Sequence, residues 1–140
     1  MSATLTAYSE TQTHKARSEL GSWMLLPGRV LFVSYFIAMG MSHLLNFHEH
    51  SLVLKRKSVP LPRAATLLTV VMMVTGGILV LFEWYTRIGA ALLFCIIFPA
   101  PFFLHRFWNE TDSYMRLSEF AHLMKDLSLA GAALLLMALL

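Results

Sequence analysis

At 140 residues, with 57% hydrophobic and only 14% charged side chains and a mean hydropathy of +0.64, the chain is far more apolar than a domain that dissolves in water. A formal charge of +3 would invite nucleic acid in a soluble protein, but here the basic residues flank apolar runs, where lipid headgroups and topology signals account for them. The one cysteine, Cys95, lies within an apolar run, so neither an intrachain disulfide nor a paired-thiol redox centre can form.

Residues 1–22 are polar and rich in Ser and Thr, with Lys15 and Arg17 offset by Glu10 and Glu19, and read as an N-terminal tail. The apolar run that follows is too long for a signal-peptide core and no Ala-x-Ala site closes it, so the tail is expected to be retained. The first span is predicted over residues 23–45, with Pro27 in its opening turn, where a missing amide hydrogen costs nothing. Residues 46–63 form the longest connection, ended by Pro60 and Pro62. The second span covers residues 64–82 and the third residues 88–104; neither contains a charged residue. Pro99 and Pro101 are expected to bend or end the third span near its far side. The fourth runs from about Leu117 to Leu140, and only its second half is free of charge.

About 20 apolar residues at roughly 1.5 Å each cross a hydrocarbon layer of roughly 30 Å. The expected fold is therefore all-α: an integral membrane antiparallel four-helix bundle, one domain over residues 23–140. Trp23, Trp84 and Trp108 fall at span edges, as do Tyr85 and Tyr114, consistent with anchoring at the membrane interface. Four crossings put residues 46–63 and 105–116 on one side, and both termini with the turn at residues 83–87 on the other. The first side carries Lys55, Arg56, Lys57, Arg63, Arg106 and Arg116; the second carries only Lys15, Arg17 and Arg87, with Arg29 just inside the membrane. The larger loops are thus expected inside and the termini outside. Gly40, Gly76 with Gly77, Gly89 to Ala91 and Ala130 to Ala133 are candidates for close helix approach.

Ionisable groups within a bilayer are costly and invite a functional reading. Arg29 lies early in the first span, within reach of the headgroups by its long stem. Asp126 lies near mid-depth of the fourth span and needs a proton, a partner or a water pocket. Lys125 adjoins it but points about 100° away on a helix. Glu119, His122 and Asp126, at i, i+3 and i+7, share one helical face. Glu119-x-x-His122 is half of a di-iron motif, but the other spans supply no carboxylates to complete it.

His43, His48, His50, His105 and His122 gather at one membrane face. A bis-histidine haem would need opposed imidazoles, such as His43 with His105; a zinc or copper site would need His48, His50 and a third ligand. A quinone headgroup suits the same zone, since it needs a hydrogen-bond donor near the interface and an apolar slot for its tail. Candidate residues for a quinone or lipid site are Arg29, His43, His105, Trp108, His122 and Asp126.

The segment order resembles the DoxX family of small four-helix membrane proteins. The resemblance rests on Gly28-Arg29, Leu45-Asn46-Phe47, Val59-Pro60-Leu61-Pro62, Gly76-Gly77, Thr86-Arg87, His105-Arg106-Phe107-Trp108 and the stretch from Lys125-Asp126-Leu127 to Gly131. The chain departs from the family's usual residues at His43 (Lys), Met73 (Glu) and Asp126 (Asn). The resemblance implies association with membrane redox complexes, through likeness to thiosulfate:quinone oxidoreductase subunits. The resulting expectation is an accessory subunit of a membrane electron-transport assembly, in a bacterial or mitochondrial inner membrane, with lipids and other membrane subunits as partners. Two alternatives stand beside it: a quinone oxidoreductase subunit in which Asp126 or His122 moves protons, and a small transporter or lipid-handling protein.

Overall fold

A computed structural model describes the backbone of residues 2–139, with side chains described at residues 12, 19, 21 and 23–139. All regular structure among these residues is helical: α1 (Ser2–Leu45), α2 (Phe47–Arg56), α3 (Pro62–Leu81), α4 (Thr86–Ile97), α5 (Ala100–Leu104) and α6 (Ser113–Leu139), with a single 3-10 turn at Phe107–Asn109. Four stretches are long and apolar enough to cross a membrane: Trp23–Leu45, Pro62–Leu81, Thr86–Asn109 and Ser113–Leu139. They coincide with the four expected spans to within a few residues at most ends, and further at the far end of the third. At most 33% of the most apolar window of any of them is buried inside the protein. Side chains such as Leu67, Val71 and Leu135 therefore face outward, a surface that only lipid can cover favourably.

The polar residues before Trp23 belong to the same helix as the first span, since α1 is continuous from Ser2. The side chains of Lys15 and Arg17, which entered the charge comparison, lie outside the described residues. The chain divides into two compact units, Met1–Leu31 and Phe32–Leu140. The first is the opening part of α1, with Pro27 and Arg29; the second holds the remainder of α1 and every other element.

Two local features of the second unit position the site described below. The connection at residues 46–63 contains a helix that the sequence reading left as loop. Phe47, His50, Ser51 and Leu54 recur at i, i+3, i+4 and i+7, and this face turns inward, burying Ser51 and Leu54. It packs on α3, where Ser51 Oγ lies 3.0 Å from Oγ1 of the fully buried Thr66. Glu49, Lys55 and Arg56 occupy the other face and obscure the period.

The third span is broken where expected. Pro99 and Pro101 have no amide hydrogen to donate to the carbonyls of Cys95 and Ile97, so α4 stops at Ile97 and α5 starts at Ala100. The break sets His105, the residue capping α5, against α6.

The core consists of Val33, Phe36, Met73, Val80, Ala90, Leu93, Ile97 and Ala130. It is dense where α3 crosses α4: a Cβ on Gly76 would sit 2.9 Å from the carbonyl oxygen of Gly89, and one on Gly89 would sit 2.8 Å from that of Gly76. Backbones meet directly there, as small residues allow in lipid. Of the small residues at 130–133 on α6, Ala130 and Ala133, one turn apart, are buried, whereas Gly131 has open space around it.

Candidate functional site

A cavity of about 420 Å³ opens in the second unit, where the end of α1, the start of α3, the α4–α5 break and the first half of α6 meet. Its walls are largely aliphatic, with Met39, Leu54, Leu68, Met73, Ile97 and Leu104 among them. Two polar clusters interrupt them.

The larger cluster centres on Asp126, at the midpoint of α6. Its side chain is only 9% exposed, and three groups converge on it. The Tyr35 hydroxyl donates to Oδ1 across 3.5 Å, Lys125 Nζ lies 3.3 Å from the same oxygen, and His105 Nε2 lies 3.5 Å from Oδ2. On its other side His105 meets Glu119, Nδ1 to Oε2 at 2.7 Å. Glu119 and Asp126 are seven residues apart on one face of α6, about 10.5 Å along the axis, and one imidazole from α5 bridges them. His122, between them on that face, lays its ring nearly parallel to that of His105 with centroids 5.1 Å apart. Lys125 also sits 4.9 Å from the centre of the Tyr35 ring, a cation–π contact that holds the ammonium at the cavity wall.

The second cluster joins α1, α2 and α3. The rings of His43 and His50 lie 3.8 Å apart, centroid to centroid, and His50 Nδ1 is 3.2 Å from Thr66 Oγ1. Thr66 spends its own hydroxyl proton on the carbonyl of Pro62, so His50 is the donor to Thr66. This fixes the proton on Nδ1 and leaves Nε2 as an acceptor.

Burial pushes the His50 pKa below its ordinary 6.5. Unfolded chain then binds more protons than folded chain just below pH 6.5, so the neutral imidazole's contribution is complete above that pH and is lost as the pH falls beneath it. The unfolding midpoint should therefore decline on acidification from pH 7, and His50→Asn should flatten that decline. Thermal unfolding in detergent across a pH series checks it; an equal slope in the variant would show that His50 is not the group responsible.

Of the residues proposed from sequence, His43, His105, His122 and Asp126 all line this cavity. Arg29 belongs to the first compact unit and is not among the lining residues. Trp108 also stands apart: it is 54% exposed and packs edge-on against Phe107, with centroids 5.2 Å apart. His48 and His50 diverge, His50 lining the cavity and His48 a separate pocket beside Arg63. Among the described residues no group of three or more His, Cys, Asp or Glu is placed to hold a metal ion.

Sequence reasoning missed Tyr35, Thr66 and the pairing of Lys125 with Asp126. Tyr35, Met39 and His43 recur every four residues, a stripe that foretells one face of α1. Lys125 starts from a different face but its flexible stem returns to Asp126, which helical geometry alone does not reveal.

The DoxX family model matches residues 24–106, more than half of the chain, covering α1 from Met24 through α5 and stopping short of α6. The chain is also similar to the inner membrane protein YphA of Escherichia coli (strain K12), 28% identical over 113 residues that make up 81% of this chain and 80% of that protein. No solved structure matches. With its four membrane-length apolar helices and this match, the chain belongs to the DoxX family and is an integral membrane protein.

Proposed function

We propose that this protein is a quinone-binding subunit of an inner-membrane redox assembly, holding the quinone headgroup in the cavity between α1, α3, α5 and α6. The observation that carries the reading is an apolar cavity faced by two polar clusters from different helices: His43 and His50 on one part of the wall, and Tyr35, His105, His122, Lys125 and Asp126 on another. A para-quinone carries two carbonyl acceptors on opposite sides of a flat, apolar ring. Lys125, with N–H groups beyond the one aimed at Asp126, donates to one, and an imidazole N–H of the histidine pair serves the other. Asp126 accepts from a hydroxyl when the ring is in its reduced form. A volume of about 420 Å³ lies within the range of small-molecule sites.

The name of the similar protein, an inner membrane protein, supports the same location here. The excess of Lys and Arg in the loops at residues 46–63 and 105–116 supports a cytoplasmic or matrix position for them, with both termini on the far side. The cavity then opens toward the side bearing these loops. On this reading the electrons come from partner subunits of the assembly.

Titration of the purified protein in detergent with a decyl-tailed benzoquinone tests this. One saturable site is expected, weakened about tenfold by Lys125→Met, in line with the loss of a charge-assisted hydrogen bond. A signal that only rises linearly with added quinone, or one indifferent to that substitution, would overturn the reading. A bound phospholipid that the quinone fails to displace would instead identify a lipid site.

A further inference from the structure

We infer that Glu119, His105 and Asp126 form a proton path joining the loop-side surface of the protein to the headgroup end of the cavity. Exposure runs down the series: the Glu119 side chain is 25% exposed, His105 22% and Asp126 9%. Glu119 is not among the residues lining the cavity, whereas His105 and Asp126 both are.

Proton counting gives the path its mobility. Glu119 Oε2 and His105 Nδ1 are 2.7 Å apart, and His105 Nε2 and Asp126 Oδ2 are 3.5 Å apart. The 2.7 Å link is a hydrogen bond and holds one proton, whereas the 3.5 Å contact is an ion-pair distance that a second proton, on either atom, turns into an attractive link. A neutral imidazole supplies one. The second resides on the imidazole, making it an imidazolium flanked by two carboxylates, or on Glu119, or on Asp126. These arrangements differ only by proton shifts along the links. Starting with the protons on Glu119 and Nε2, the Nδ1–H bond forms as the Glu119 O–H bond breaks, and the Nε2–H bond breaks as the Oδ2–H bond forms. The Glu119 carboxylate takes a new proton from water at the surface while rotation of the neutral ring restores the starting tautomer. No electron moves and no co-reactant is consumed. The groups facing the path are Tyr35 from α1 and Lys125 and His122 from α6. Lys125 and Tyr35 hold Asp126 Oδ1, and His122 covers the face of the imidazole. His43 and His50 line the same cavity from α1 and α2. Arg106 is turned away, with Nη2 donating to the carbonyl of Lys57 across 3.4 Å.

The path rests on the quinone reading for its purpose, since reduction of a quinone consumes protons, but its operation can be measured with no quinone present. In the detergent-purified protein, the Asp126 carboxyl is assigned as the infrared band that disappears in Asp126→Asn, and its protonation is followed after a pH jump. Glu119→Gln and His105→Phe are each expected to slow that protonation about tenfold or more, as befits removal of a positioned acid–base group, while the exposed Glu49→Gln leaves it unchanged. Glu119→Gln sits at the rim and keeps its shape, so it remains informative where His105→Phe disturbs folding. Protonation of Asp126 at the wild-type rate in Glu119→Gln, or an Asp126 band that never responds to pH, would overturn the path. Decylquinone titration of the same samples separates the two proposals: quinone bound normally with slow proton exchange supports the path, and normal exchange dependent on Glu119 without quinone binding sinks only the quinone reading.

Discussion

Asp126→Leu is expected to abolish saturable quinone binding and to lower the unfolding midpoint, whereas Asp126→Asn spares both and removes only proton exchange. Leucine keeps the branched shape of aspartate, in a larger side chain, but withdraws every acceptor at once. Tyr35 Oη, Lys125 Nζ and His105 Nε2 all converge on this carboxylate within 3.5 Å, and each would lose its partner. A hydrogen bond to a charged group contributes about 1.5–3 kcal/mol. The Lys125 loss is tempered because its side chain is 41% exposed and regains water, so the structural penalty falls mainly on Tyr35 and His105. Asparagine keeps one oxygen to accept from Tyr35 and Lys125. Its amide N–H₂ can donate to His105 Nε2, which satisfies that link with a proton that cannot leave. The substitution therefore tests whether the carboxylate here adds proton chemistry to a site otherwise held by hydrogen bonds. Thermal unfolding, decylquinone titration and the pH-jump measurement on wild type and both variants provide the check. Equal quinone affinity in Asp126→Leu and wild type would place the ligand elsewhere.

Hydropathy made the spans readable because an uninterrupted run such as residues 64–82 leaves no choice of solvent. The break at Pro99 and Pro101 was equally plain, since a missing amide hydrogen acts locally. α2 was harder to see: ten residues with Glu49, Lys55 and Arg56 among them look like a polar loop until the spacing of Phe47, His50, Ser51 and Leu54 is noticed. In the site, the shared face of Glu119, His122 and Asp126 follows from helical spacing alone. The partner of that face does not, because His105 lies beyond a proline break whose angle depends on how α5 packs against α6. Histidines were legible as a group at one membrane face, but their division into His43 with His50 and His105 with His122 is set by which helices touch. Trp108 was misleading for a physical reason. An indole at a span edge has the same composition signal whether it lines a cavity or meets the interface, and here it is more than half exposed.

Gly89→Val should be the most destabilising single change outside the site, and its effect should reach the cavity. A Cβ at that position falls 2.8 Å from the Gly76 carbonyl oxygen, 2.8 Å from Leu79 Cβ and 3.0 Å from Val80 Cγ2. The first two belong to backbone or to the base of a side chain, so neither can rotate away, and α3 and α4 must separate. Overpacking of this kind costs about 1–3 kcal/mol, with valine's two further methyl groups placing it toward the upper end. α4 leads through the proline break directly into α5 and His105, so pushing α4 outward also lengthens the His105 links to Glu119 and Asp126. Gly131→Ala is the matched control, since nothing lies within 4 Å of the added carbon and alanine is the better helix former by about 1 kcal/mol. Thermal unfolding in one detergent should place Gly89→Val several degrees below wild type and Gly131→Ala at or above it. The pH-jump rate of Asp126 should fall in the first variant and hold in the second. If Gly89→Val unfolds with the wild type, the backbones of α3 and α4 do not meet at Gly76 and Gly89, and the rigid seam that fixes the distance between His105 and α6 is absent.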